Sequence, residues 1–181
     1  MALPVLGLAA ALLLPTLAQA QPGAPDAFER QVKAAYVSKF AGYVEWPPPA
    51  FASSDSPVNI GVLGDDAMAA YISELAAERT VNGRPIKVHN LRTGSELNGM
   101  HILFVGRSLN RQLHQVLAAS RALPLLTVTE AEDALAHGSM INFVMVDGRV
   151  RFEVSQKAAQ PHNVRISARL LSAATRVIVG R

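Results

Sequence analysis

Apolar side chains at Val32, Tyr36, Phe40 and then Tyr43 or Val44 recur every three to four positions, the spacing of one buried face of an amphipathic helix. Asp26 followed by Glu29 is a capping-box type of helix start. The pattern predicts a helix end near Trp46, because Pro47, Pro48 and Pro49 remove three successive amide donors and bias the preceding residue away from helical geometry. Trp46 and Phe51 then flank a stiff turn.

Beyond Pro57, short apolar runs alternate with helix-period stretches. Val58 to Leu63 reads as a buried strand, and Asp66 to Ala77 as a helix with Met68, Ile72, Leu75 and Ala76 inward. Pro85 to Leu91 reads as a second strand after the Asn82-Gly83 turn, and Ile102 to Val105 as a third. Leu109 to Leu123 carries Leu113, Val116 and Leu117 at helical spacing before a fourth strand at Leu125 to Val128. Strands separated by helices imply βαβ crossovers, so the fold class is α/β: one domain with a largely parallel sheet and helices on both faces.

The end of the chain changes character. Met140 to Val146 and Arg149 to Val154 are β-rich runs joined by Asp147-Gly148, a strong signal for a tight antiparallel hairpin. Period two puts Arg151 and Glu153 on the face opposite Phe152. The hairpin is expected at an exposed edge of the sheet. Ser155 to Ala159 and Ser167 to Ala174 read as closing helices.

The first residues fit none of this. Leu6 to Leu17 is an apolar run of signal-peptide length, and Ala18-Gln19-Ala20 supplies the small residues of a cleavage site. Pro15 and the glutamines that follow argue against a membrane anchor, which needs about 20 apolar residues. The expected organisation is a signal peptide over residues 1–20, a disordered polar tail over 21–25 and the folded domain over 26–181. Export to an oxidising compartment permits disulfides, yet the 181-residue chain has no cysteine, so its core must suffice alone.

Charge is uneven along the chain. From Arg149 onward seven cations stand against Glu153 alone, although the whole chain carries only +3. Such asymmetry suits a membrane surface or an acidic partner, and a periplasmic address removes nucleic acid from consideration.

No nucleotide-binding, metalloprotease or hydrolase signature is present. The histidines His89, His101, His114, His137 and His162 stand 12 or more residues apart, so no compact metal site is expected. Catalytic residues and cofactors are expected to be absent. Asp65 and Asp66 follow a parallel strand at its carboxyl end, where α/β sheets place ligands, although a helix cap is the plainer reading. His137-Gly138-Ser139 is adjacency in sequence only.

Eight blocks in order resemble the YfiR/HmsC-like family: Lys33 to Phe51 (KAAYVSKFAGYVEWPPPAF), Ile60 to Asp65 (IGVLGD), Val81 to Val88 (VNGRPIKV), His101 to Val105 (HILFV), Leu126 to Glu130 (LTVTE), Gly138 to Phe143 (GSMINF), Arg149 to Val154 (RVRFEV) and Ile166 to Leu171 (ISARLL). The resemblance implies a periplasmic regulator, not an enzyme. It would bind the periplasmic sensor domain of an inner-membrane diguanylate cyclase and repress it, lowering cyclic-di-GMP and biofilm formation. An outer-membrane lipoprotein would sequester it. The chain departs from the family where His101 replaces a frequent cysteine, where Gly138-Ser139 replaces a double glycine, and where Ser155-Gln156 replaces an Asn-Leu pair.

Two functions of different classes follow. In the first, Arg151 and Glu153, with Arg169 as a neighbour on the closing helix, form the partner-binding patch, in a monomer or a homodimer without covalent links. In the second, the sheet is a small-molecule receptor with a pocket at its carboxyl edge. Phe40, Trp46 and Phe51 are an aromatic cluster that serves either as core or as a ligand site.

Overall fold

The computed structural model describes residues 24–180. The expected signal peptide lies outside the described residues, as do residues 21–23 of the expected tail. The first helix, α1 (Ala24–Phe40), takes in the two residues after them. Its face Ala34, Val37 and Phe40 is fully buried.

The helix stops earlier than its periodicity predicts. After Phe40 the chain tightens into a 3-10 turn at Ala41–Tyr43 and extends into β1 (Val44–Glu45). The cause lies far away in sequence. β1 pairs antiparallel with β9 (Arg165–Ile166), Val44 opposite Ile166, so the backbone groups of Val44 are committed to a strand before the prolines are reached.

The main sheet contains β2 (Val58–Leu63), β3 (Thr80–Val81), β4 (Arg84–Leu91), β5 (Ile102–Val105), β6 (Leu126–Thr129), β7 (Ile141–Val146), β8 (Arg149–Ser155) and β10 (Arg176–Ile178), in the spatial order β10-β8-β7-β6-β5-β2-β4-β3. The central five strands β4, β2, β5, β6 and β7 are parallel, and β8 and β3 run antiparallel to their neighbours β7 and β4. The mixed, mostly parallel sheet is the predicted α/β architecture, with one further strand at each margin.

The predicted hairpin is present. Asp147 and Gly148 both hold positive φ, 49° and 69°, which matches the right-handed twist of the flanking strands. It is not at the edge of the sheet as expected, because β10 pairs parallel with Glu153 to Ser155 of β8. Asn82-Gly83 likewise turns with φ of 51° and 78°, joining β3 to β4.

Strand alternation divides the core in two. Ile60, Val62, Ile102 and Phe104 face α1 and α2 (Asp66–Ala76), with Ala159 of α4 (Gln156–Ala159) and Leu170 of α5 (Ala168–Ala173) on the same side. Leu103 and Val105 face the opposite way, against α3 (Leu113–Ser120) and Leu109 of the 3-10 turn before it. Burying these two layers supplies the main driving force for folding, at about 25 cal/mol per Å² of apolar surface. No described helix is long and apolar enough to cross a membrane.

Candidate functional site

From β2 the chain passes through α2 to β4 on one side, then returns across β2 to β5 on the other. The carboxyl ends of β2 and β5 are therefore the topological switch point, where open α/β sheets bind ligands. A crevice of about 340 Å³ lies there, lined by Glu29, Arg30 and Lys33 of α1, Asp65 after β2, Arg107 after β5 and Glu130 after β6.

Its charges are satisfied from within. Asp65 caps α2, its Oδ1 accepting from the Met68 N–H at 2.9 Å, and its Oδ2 accepts from Arg30 Nε at 2.8 Å. Glu130 accepts the Arg107 backbone N–H at 3.1 Å and lies 3.3 Å from Arg107 Nε. Lys33, only 3% exposed, donates to both Glu29 and Glu130, and Arg107 also donates to Glu29. Burial works against the ionised form of Glu29, but Lys33 and Arg107 together outweigh it and hold its carboxyl below the ordinary value. The two helical starts that could have received an anion hold carboxylates of the chain itself, and α1 is clamped over them. Sequence reasoning singled out Asp65 but missed Lys33 on α1, which had no local signal, and Arg107 and Glu130, whose only signal was position just after predicted strands.

On the other side of the same edge, a cavity of about 360 Å³ opens between α3 and the loop that follows β4. Leu63, Val116 and Leu123 form its floor, and Arg92, Gln112 and Gln115 its rim.

The aromatic residues do not form one cluster. Phe40 packs with Tyr36, Phe143 and Phe152, its ring 5.3 Å from Phe152 edge-on and 6.0 Å from Phe143. Trp46 and Phe51 meet at the opposite, amino-terminal end of the strands, around His101. Phe51 stacks on the imidazole at 4.3 Å, Trp46 Nε1 donates to the His101 carbonyl at 3.0 Å, and Arg84 lies 3.9 Å from the Phe51 ring centre. Both ring nitrogens of His101 are used, Nδ1 accepting from the Asn59 N–H and Nε2 donating to the Ala50 carbonyl. Burial pushes its pKa down; the Ala50 bond opposes this and the Arg84 charge reinforces it.

On the hairpin, Glu153 stands opposite Asn142 and Arg151 opposite Val144, while Phe152 is buried on the other face. Glu153 pairs with Arg176 of β10 at 3.2 Å, and with it borders a cavity of about 380 Å³. Arg169 is exposed on α5 and lines a different cavity, beside Ser38, Tyr43 and Arg79. Among the described residues, no group of three His, Cys, Asp or Glu is placed to hold a metal ion.

No curated protein matches the chain. A solved structure described as a conserved domain protein from Vibrio cholerae O1 biovar eltor str. N16961 shares its fold at a TM-score of 0.50 and 12% identity, over 82% of this chain. The match spans 60% of the length of that Vibrio chain. The profile of the YfiR/HmsC-like family matches residues 30–175, from the charged half of α1 to the threshold of β10, and the chain belongs to that family.

Proposed function

We propose that the protein binds the periplasmic sensor domain of an inner-membrane diguanylate cyclase and represses it, lowering cyclic-di-GMP and biofilm formation, and that an outer-membrane lipoprotein sequesters it. Membership of the YfiR/HmsC-like family, a family of periplasmic regulators of cyclic-di-GMP signalling, carries this reading. The proposed contact surface is the outward face of β8, Arg151 and Glu153, with Arg169 as a separate second contact. Arg149, Arg151 and Arg176 outnumber Asp147 and Glu153 in the hairpin region, which favours an acidic partner surface. The test is a pull-down from inner membranes with the purified protein, followed by a cyclase assay on the captured membrane protein. Capture of a cyclase whose output falls on adding the protein is expected; a captured cyclase of unchanged output overturns the reading.

A receptor function is the second reading, favoured by one observation. The carboxyl edge of the sheet carries, besides the self-filled crevice, a cavity with an apolar floor and a polar rim, the usual form of a small-molecule site.

A further inference from the structure

We propose that the cavity between α3 and the loop after β4 binds an aliphatic monocarboxylate. This rests on the receptor reading and names its ligand class.

The cavity follows from the topology. β4 returns to β5 across β2 through residues 92–101, which form no helix, so α3 alone covers that part of the sheet and a gap remains beside it. Leu63 and Val116, both buried core residues, floor the gap together with Leu123, and Leu97 of the loop closes one side. No aromatic ring and no acidic side chain lines it, which suits an alkyl chain and a negative head. Arg92 stands at the rim and makes no ion pair among the described residues, and Gln112 and Gln115 offer amide donors nearby. The rim is preformed: the Arg92 N–H donates to Ser95 Oγ at 3.0 Å, and the Ser95 N–H donates back to the Arg92 carbonyl at 2.9 Å. Gly94, at φ +89°, permits the reversal between them. The neighbouring crevice offers an anion no such place, because Asp65 and Glu130 occupy it.

The probe is octanoate, titrated into the isotopically labelled protein and followed by amide chemical shifts, with 1-octanol as the neutral control. Saturable shifts centred on Leu97, Gln112, Val116 and Leu123 are expected. Arg92→Gln should weaken octanoate about fivefold, the worth of an exposed charge contact, and leave octanol unchanged. Ala119→Trp, an exposed position on the wall of the cavity, should fill it and abolish binding of both while the remaining spectrum stays native. Absence of saturable shifts, shifts mapping to the crevice or the hairpin, or equal loss of octanoate and octanol in Arg92→Gln overturns the proposal. The titration contains no partner, so its failure and the failure of cyclase repression are read separately.

Discussion

Asn59 and His101 hold each other twice: the Asn59 N–H donates to His101 Nδ1 at 3.0 Å, and the His101 N–H donates to the Asn59 carbonyl at 2.9 Å. The first bond needs an unprotonated Nδ1. Protonation would remove that acceptor and place a cation in a buried site that already faces Arg84. The folded pKa is pushed below its unfolded value of about 6.5, so the unfolded chain takes up the proton first. The stabilisation is complete above about pH 6.5 and is lost as the pH falls from there through the lowered folded value. Glu29 adds the same sign at lower pH, since its carboxyl is also held below the ordinary value. Urea midpoints measured from pH 8 to pH 4 should fall with acidity, and His101→Gln should flatten the upper part of that fall. An unchanged profile in the variant would show that His101 does not carry it.

Lys33 is the cation shared by the nearly buried carboxylate of Glu130 and the more exposed one of Glu29. Lys33→Met leaves Glu130, whose side chain is 7% exposed, with the more exposed Arg107 as its remaining ion-pair partner. Breaking a buried pair in this way costs about 3 to 5 kcal/mol. The double variant Lys33→Met/Glu130→Gln keeps an acceptor for the Arg107 N–H and removes the stranded charge, so it should be more stable than Lys33→Met alone. Chemical denaturation decides the order.

Phe40 and Trp46 should separate in stability. Phe40 is 1% exposed among three aromatic rings, and Phe40→Ala should cost about 3 to 5 kcal/mol. Trp46 is half-buried and the His101 carbonyl it holds also accepts from Leu126, so Trp46→Ala should cost less. Equal shifts in melting temperature would contradict the division into two clusters.

Glu153→Lys sets a cation beside Arg176 while removing a partly exposed ion pair, worth about 0 to 1 kcal/mol. The variant should therefore fold nearly as well as wild type. If the β8 face contacts the cyclase, cellular cyclic-di-GMP should rise, because a charge reversed at an interface costs about 2 to 5 kcal/mol of affinity. A folded variant that still represses fully would move the contact elsewhere.

Local chemistry was legible in the sequence. Asp147-Gly148 determines its own turn, and Asp65 caps α2 through a bond three residues long. What failed were features set by distant partners. The end of α1 depends on Ile166, and the covering of β8 depends on Arg176 to Ile178, a segment too short to show a strand period. The crevice joins Lys33 to Glu130 across 97 positions, and neither residue has a local pattern that announces the other. Likewise Phe40 and Trp46 stand close in sequence, yet with β1 between them Phe40 packs on Phe143 and Phe152 while Trp46 packs on Phe51 and His101.

The two outermost strands are also the shortest members of their neighbourhoods. β3 has two residues and β10 three, and β10 screens only the last part of the seven-residue β8. Long unscreened strands recruit strands from other molecules, whereas short ones give little template. Removing the residues after Thr175 would uncover the outer backbone of Glu153 to Ser155 and leave Phe152 held by Thr175 alone, on the strand that carries the hairpin with its exposed Met145 and Val146. By pairing with the end of β8, the closing strand leaves less open edge for a strand of another molecule, a role independent of any ligand or partner.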